Sequence, residues 1–345
     1  MTESKSDPET LISVVVPAYN EENVLEEFHK RTAAVLETTG LAWEIIYVND
    51  GSTDQTLRTM NRIAASCPRV SIVDLSRNFG KEIALTAGLE FSRGDAVVII
   101  DADLQDPPEL ITEFVRHWRD GYDNVYATRI SRGGETAFKK MTARMFYRVI
   151  RSVSRVKIPA NTGDFRLLSR RTVDSLLKLR EHHRFMKGLF AWVGYRSIAV
   201  DYHRSPRFAG KTKWNYWNLW NFALEGITAF STAPLRLATF AGLGTALWAL
   251  IYAGVVFYRT LAFGDPARGY PSMMIVILFL GAIQLIFIGV IGEYLGRMFN
   301  ETKNRPLYFV NSVSGLWSQT ENAPFPEPGN QGPEATMAPP SKSQT

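Results

Sequence analysis

A single cysteine, Cys67, occurs in the 345 residues. No disulfide can form within the chain, which fits a reducing compartment. Residues 1–10 are polar and acidic and lack the apolar core of a cleavable signal peptide, so insertion into any membrane must be directed by later segments. No Gly-x-Gly-x-x-Gly follows a strand-like run and no Walker sequence occurs. A nucleotide, if one is bound, is therefore not held by a dinucleotide fold or a P-loop. Charge is missing altogether from 237–258 and 272–292, and acidic residues are missing between Glu135 and Asp164.

At about 1.5 Å rise per residue each uncharged stretch covers a hydrocarbon core of roughly 30 Å. A soluble core helix rarely runs that far without one charge, so both stretches are expected to span a membrane. The connection 259–271 is short enough to force a hairpin, which puts the residues before 237 and after 292 on one side. Arg236, Arg297, Lys303 and Arg305 flank that side, against Arg259 and Arg268 in the connection. The positive-inside rule then places the large N-terminal region and both termini in the cytosol, as in a multi-pass protein of the cell (inner) membrane. Lys plus Arg number 39 against 34 Asp plus Glu, a net +5, and the excess is clustered rather than spread.

Ahead of the hairpin, apolar runs at 12–16, 43–48, 70–73, 96–100 and 125–127 alternate with helix-like segments. Such alternation predicts an α/β fold whose mostly parallel sheet is covered by helices on both faces. Three of the runs end in polar clusters: 17–21, 49–54 and 101–106. Open α/β sheets bind ligands beyond the carboxyl ends of their strands, so the three clusters are expected to converge on one crevice.

Asp101 and Asp103 stand two apart at the end of a strand of Val and Ile. In an extended segment they point to the same side, and two crowded carboxylates repel unless a cation sits between them. Oxygen ligands suit Mg²⁺ or Mn²⁺, which keep positions open for a substrate phosphate. Asp106 is placed to cap the helix opening at Pro107-Pro108. Asp50-Gly51 reads as a turn, with Thr53 or Asp54 capping the next helix. Asp50 itself sits at the strand end, where a carboxylate can accept hydrogen bonds from a base or a ribose. Lys81, Arg129, Arg207 and Lys213 are the cations that could meet phosphates.

Four segments carry a resemblance: Val14-Val15-Val16-Pro17-Ala18-Tyr19-Asn20-Glu21, Val48-Asn49-Asp50-Gly51-Ser52-Thr53-Asp54, Asp101-Ala102-Asp103-Leu104-Gln105-Asp106-Pro107-Pro108-Glu109 and Asn161-Thr162-Gly163-Asp164-Phe165-Arg166. Together they resemble the polyisoprenyl-phosphate glycosyltransferases of glycosyltransferase family 2, over roughly residues 10 to 310. The Asp-Leu-Gln-Asp-Pro-Pro-Glu string is more similar to the bactoprenol glucosyltransferase branch than to dolichol-phosphate mannose synthases. The resemblance implies a GT-A, Rossmann-like domain that transfers a hexose with inversion, glucose from UDP-glucose, to undecaprenyl phosphate. The product would be a lipid-linked sugar donor for cell-envelope glycosylation.

By motif position, the resemblance gives Pro17, Tyr19, Glu21, Val48 and Asp50 to the nucleoside, and Asp101, Asp103 and Gln105 to the Mg²⁺ or Mn²⁺, with backbone contacts from Ala102. Arg129, Arg207 and Lys213 would face donor diphosphate or acceptor phosphate, and Asp164 would lie near the reacting sugar. Asp103, Asp164, Arg207 and Lys213 are thus the expected catalytic set. Thr212 stands where Ser is commoner in the family, and keeps the hydroxyl.

A lipid acceptor requires a site mouth that faces the membrane. Over 138–158, Lys140, Arg144, Arg148 and Arg151 recur at helical spacing beside apolar residues, which predicts a basic amphipathic helix on anionic headgroups. Trp214 and Trp217, followed by Trp220, precede the first span as an interfacial belt. The expected organisation is a tail at 1–10, a GT-A domain over 11–213 that includes the helix at 138–158, and an interfacial helix at 214–233. Two spanning helices within 234–296, a cytosolic return at 297–310 and a disordered tail at 311–345 complete it. Residue types alone leave GDP-mannose open as the donor, and leave open a non-catalytic nucleotide-sugar-binding membrane scaffold. The absence of Gln-x-x-Arg-Trp argues against a processive polysaccharide synthase. A homo-oligomer is compatible with the resemblance, and nothing points to nucleic acid.

Overall fold

The computed structural model describes residues 10–130, 162–182, 184–202, 233–263 and 269–315. The first part alternates strand and helix: β1 (Leu11–Ala18), α1 (Leu25–Thr38), β2 (Ala42–Asn49), α2 (Thr56–Ser66), β3 (Val70–Leu75), α3 (Lys81–Glu90), β4 (Ala96–Ile99), α4 (Leu110–Arg119) and β5 (Asn124–Arg129). Then come β6 (Thr162–Ser169), α5 (Arg170–Leu177), α6 (Met186–Trp192), β7 (Ser197–Tyr202), the long helices α7 (Ala233–Phe263) and α8 (Tyr270–Thr302), and β8 (Val310–Gly315). The five apolar runs of the sequence are the cores of β1 to β5.

All eight strands form one sheet in the order β7-β5-β6-β4-β1-β2-β3-β8. Pairings β1/β2, β1/β4, β2/β3 and β5/β7 are parallel, and β6 and β8 enter antiparallel. The central strand β1 buries side chains on both faces, Ile12, Val14 and Val16 on one and Val15 on the other. That is why it reads as a continuous apolar run rather than an alternating one. Helix α3 lies so close that a Cβ on Gly88 would come within 2.2 Å of Val15 Cγ1. The chain leaves β1 toward β2 on one side, while β4 pairs on its other side. The carboxyl ends of β1 and β4 therefore diverge into a crevice, the place where open α/β sheets hold ligands.

α7 and α8, of 31 and 33 residues, are longer than the uncharged stretches inside them. Among the described residues, Phe279–Thr302 is long and apolar enough to cross a membrane, and α7 contains a shorter apolar segment, Ala238–Tyr252. Large apolar side chains such as Leu243, Leu250, Ile251, Leu285 and Ile288 are mostly exposed. A surface of that kind is stable against lipid and costly against water. Membrane association follows.

The expected disordered tail is corrected at its start: residues 311–315 belong to β8, which pairs with β3. Its sequence, VNSVSG, has no strong strand pattern. What holds it is the open edge of β3, whose backbone groups need partners, together with Asn311 Nδ2 donating to Asp74 Oδ2 at 2.8 Å.

Candidate functional site

The polar clusters after β1 and β2 are knitted together. Asn20, at φ 56°, donates its backbone N–H to Ser52 Oγ (3.0 Å) and accepts the N–H of Thr53 on its own side-chain oxygen (2.8 Å). The N–H of Glu21 donates to Thr56 Oγ1 at 2.8 Å. Asp54 takes up an otherwise unsatisfied N–H of the α2 entrance, accepting from Thr56 at 3.0 Å. Pro17 is buried and Tyr19 and Glu21 are half-buried around this rim. Val48 is wholly buried in the core. Only its main chain could meet a ligand.

Asp50 is 3 % exposed, and both of its carboxylate oxygens accept backbone N–H groups, from Phe79 at 2.7 Å and Gly80 at 3.0 Å. Burial pushes its carboxyl above the ordinary value against the pull of those two bonds and of Arg77. Asp50 is thus a fixing point for the loop that leads into α3. Gly80, at φ 98°, turns that loop, and Lys81 follows as the first residue of the helix. Gly51, at φ 63°, has room for no side chain: a Cβ there would meet the Arg77 backbone at 2.4 Å.

Lys81 is the centre of the cluster. Its Nζ donates to Asp101 Oδ2 at 2.7 Å and to Asp164 Oδ2 at 2.6 Å. Burial lowers the ammonium's pKa, but the two carboxylates more than offset this and hold it well above the ordinary lysine value. Burial raises Asp164, and Lys81 and then Lys187 outweigh it, so the carboxyl ends well below the usual carboxylate range. Asp164 Oδ1 is buried with no hydrogen-bond partner among the described residues. Next to Lys81 on the helix, Glu82 is pushed up to about 7, first by burial and then by the charge of Asp164.

Asp101 and Asp103 leave β4 as expected, Asp101 half-buried and Asp103 buried. Ala102 is buried between them, and Leu104 takes a left-handed backbone conformation at φ 56°. That turn lets the N–H of Gln105 donate back to Asp103 Oδ1 at 3.1 Å. Among the described residues no group of three acidic, His or Cys side chains converges as a self-sufficient metal cage. Two carboxylates suit the donor set of an ion that takes its remaining ligands from a substrate diphosphate and water. Asp101 also already holds a cation, the Lys81 ammonium. The residues present fit a divalent ion on those terms.

Arg129, at the end of β5, completes the mouth. Its Nε donates to Tyr202 Oη at 3.1 Å, and that hydroxyl donates to Asp106. Burial lowers its pKa, and Tyr202, Asp106 and Asp101 raise it to a net increase. Asp106, expected as a helix cap, engages Tyr202, and the N-cap position of α4 is Glu109. The sequence reading also passed over Glu82, Arg166 and Tyr202. Arg166 is buried, with its guanidinium 3.7 Å over the Phe190 ring and its NH2 donating to the Gly163 carbonyl at 3.0 Å. The alternation of Thr162, Asp164 and Arg166 with Phe165 and Leu167 was the available signal for β6. Arg207, Lys213, Lys140, Arg144, Arg148, Arg151, Trp214 and Trp217 lie outside the described residues.

Known proteins resemble this chain in sequence over most of its length. The description "Glycosyl transferase family 2" matches residues 13–177, and "GtrB C-terminal hairpin" matches 233–298. An uncharacterized glycosyltransferase of Synechocystis sp. is 55 % identical over 305 residues, covering 88 % of this chain and 96 % of that one. A bactoprenol glucosyl transferase of Shigella phage SfX is 48 % identical over 301 residues, covering 87 % of this chain and 99 % of its own. Among solved structures, glucosyl-3-phosphoglycerate synthase from Mycobacterium tuberculosis, in complex with Mn²⁺, UDP-glucose and phosphoglyceric acid, aligns at a TM-score of 0.42. Its sequence is 24 % identical, and the match covers 64 % of this chain and 78 % of that one.

Proposed function

The chain belongs to glycosyl transferase family 2, and from that premise we propose that it transfers glucose from UDP-glucose, with inversion, to the phosphate of a membrane polyisoprenyl phosphate such as undecaprenyl phosphate. The observation that carries this reading is the meeting of Asp101, Asp164 and Lys81 at the crevice end of the sheet, in a chain whose α8 is long and apolar enough to cross a membrane. The likeness to a bactoprenol glucosyl transferase supports the glucosyl donor and the lipid acceptor.

The chemistry has two electrostatic problems. The leaving nucleoside diphosphate gains negative charge as the anomeric carbon becomes cationic. The acceptor, a phosphate monoester with a second pKa of about 6, is itself an anion at neutral pH. It is therefore a competent nucleophile without a strong base. Bringing two anions to about 4 Å costs roughly 4 kcal/mol per unit pair at an effective dielectric near 20. Lys81 and Arg129 are described cations at the crevice, Lys187 adds its charge beside Asp164, and Arg207 and Lys213 are further candidates from the sequence. A divalent cation held by Asp101, Asp103 and Gln105 would stabilise the leaving diphosphate as a Lewis acid.

Asp164 is kept ionised by Lys81 and Lys187, which makes it a poor proton acceptor and a good hydrogen-bond acceptor. It orients the sugar hydroxyls or the Lys81 ammonium rather than acting as a base. Pro17, Tyr19, Glu21, Asp50 and the main chain of Val48 form the nucleoside side of the crevice. Membrane association through α7 and α8 brings the lipid phosphate to the same side, with the catalytic domain and both termini cytosolic.

The deciding experiment is a radiolabelled transfer assay on detergent-purified full-length protein. It compares UDP-glucose with GDP-mannose, undecaprenyl with dolichyl phosphate, and Mg²⁺ or Mn²⁺ with a chelator. Glucose transfer to undecaprenyl phosphate that stops on chelation is the expected result. Preference for GDP-mannose, or binding of UDP-glucose without turnover on any lipid phosphate, would overturn the reading.

A further inference from the structure

β5 and β7 are parallel neighbours whose last paired residues are Arg129 and Tyr202. Beside them runs the loop that carries Asp101 and Asp103 and ends in Asp106. Three separate segments are therefore joined by one chain of hydrogen bonds at the crevice mouth: Arg129 Nε to Tyr202 Oη at 3.1 Å, and Tyr202 Oη to the Asp106 carboxylate. Asp106 is 2 % exposed and Tyr202 4 % exposed. A buried carboxylate needs donors, so the tyrosine proton is directed to Asp106 and the hydroxyl lone pairs are left to face the guanidinium. The direction of the chain is thereby fixed, and its two bonds strengthen each other.

The other side of Arg129 is bounded by Gly163. A Cβ placed there would lie 3.1 Å from the Arg129 NH2, tighter than an ordinary contact. Gly163 is conformationally ordinary, so its lack of a side chain serves space. The guanidinium is thus tied at Nε by Tyr202 and passes Gly163, the neighbour of Asp164, with its terminal nitrogen.

We propose that Tyr202 is a positioning residue that acts through Arg129, holding the guanidinium, with Asp106 as anchor, at the crevice mouth where it meets a phosphate-bearing substrate. This rests on the reading of Arg129 as an anion-facing group. Tyr202 packs in the core with its ring and acts in the site with its hydroxyl. Gly163 is the second requirement, since any side chain there displaces the same group.

The test is a pair of double-mutant cycles on the full-length protein. Tyr202→Phe keeps the packed ring and removes both hydroxyl hydrogen bonds, the one from Arg129 and the one to Asp106; with the guanidinium released, kcat/KM should fall about tenfold. Gly163→Ala should lower it in the same sense. In an Arg129→Ala background both substitutions should change kcat/KM by less than about twofold, because their effect passes through a group already removed. Equal losses in both backgrounds would overturn the proposal and mark Tyr202 as a structural residue. Calorimetric titration with inorganic pyrophosphate repeats the cycle without sugar transfer: Tyr202→Phe should weaken binding when Arg129 is present and not when it is absent. Failure of glucose transfer by the native protein would strike the proposed function, while the pyrophosphate cycle would still decide the role of Tyr202.

Discussion

Replacing Lys81 by Met should tighten divalent-cation binding while lowering turnover. The side chain is nearly isosteric, and only the ammonium is lost. In the native site one nitrogen lies within 2.7 Å of oxygens from both Asp101 and Asp164, and an incoming cation must compete with it for Asp101. At an effective dielectric near 20, two carboxylates left about 5 Å apart repel by roughly 3 kcal/mol. Lys81 is 43 % exposed, so water screens much of this, and about 1–2 kcal/mol is the expected net change. That amounts to a factor of about 5 to 30 in affinity. The assay is titration of donor-free, detergent-solubilised protein with Mn²⁺, following the free ion by electron paramagnetic resonance. Asp101→Ala and Asp103→Ala serve as controls that should lose the site. Turnover should fall in Lys81→Met, because the ammonium is no longer there to meet substrate phosphate. Unchanged or weaker Mn²⁺ binding in Lys81→Met would refute the view that ammonium and metal share Asp101.

Asp50→Asn keeps the shape but turns one acceptor into an NH2 facing the Phe79 or Gly80 N–H, at a cost of about 2–4 kcal/mol to the ordered loop. The KM for nucleotide sugar should rise at least tenfold with α3 still folded by circular dichroism, and an unchanged KM would count against the loop-fixing role. Glu82, raised to about 7 against an ordinary 4.5, holds its extra proton in the folded state. Its contribution to stability is therefore full below pH 4.5 and declines as pH rises toward 7. Thermal midpoints should fall between pH 5 and pH 7.5 in the native protein and less in Glu82→Gln; identical slopes would dismiss the assignment. Asp164, lowered, acts with the opposite sign and only below its ordinary value of 3.8. Charge reversal at Arg144 and Arg148 should raise the KM for lipid phosphate far more than that for nucleotide sugar, and equal effects would remove the basic segment from the membrane surface.

The parts of the fold that announce themselves are those governed by local pattern. β1 to β4 are apolar runs because each is packed on both sides, β5 buries only Val125 and Ala127 on one face, and the acidic residues after β4 stand out against the Val and Ile before them. β6 and β7 are half-hidden: Ile198, Val200 and Tyr202 alternate with exposed partners on an edge strand, a weaker signal than a buried run. β8 is almost illegible, since its polar residues become a strand only by finding the free edge of β3. In the site, the placing of Asp101 and Asp103 together at the end of β4 is readable from spacing. The Lys81 bridge is not, because it joins residues 20 and 83 positions apart in sequence. Asp50 shows the converse. Its position at a strand end predicts a ligand contact, and the structure adds a role that spacing does not show, both oxygens accepting backbone N–H groups of another loop.

The return of the chain after α8 links the apolar helices to the charge cluster. Glu301, at the end of α8, accepts the His182 N–H at 2.9 Å. Tyr308 donates to Glu90 at the end of α3, and the Phe309 carbonyl accepts the Ser76 N–H at 2.9 Å. Ser76 begins the loop whose Phe79 and Gly80 are held by Asp50 and which ends in Lys81. An unbroken series of bonds thus runs from the hairpin's exit to the ammonium between Asp101 and Asp164. A lipid phosphate sits at a fixed depth in the bilayer, and misplacement of a reacting group by about 1 Å can cost a hundredfold in rate. A flexible tether would leave the height of the crevice above the headgroups to chance. The pairing of β8 with β3, with the bonds of Tyr308 and Phe309, instead ties the chain that leaves α8 to the elements that carry Lys81, and β8 forms despite a sequence that hardly favours a strand.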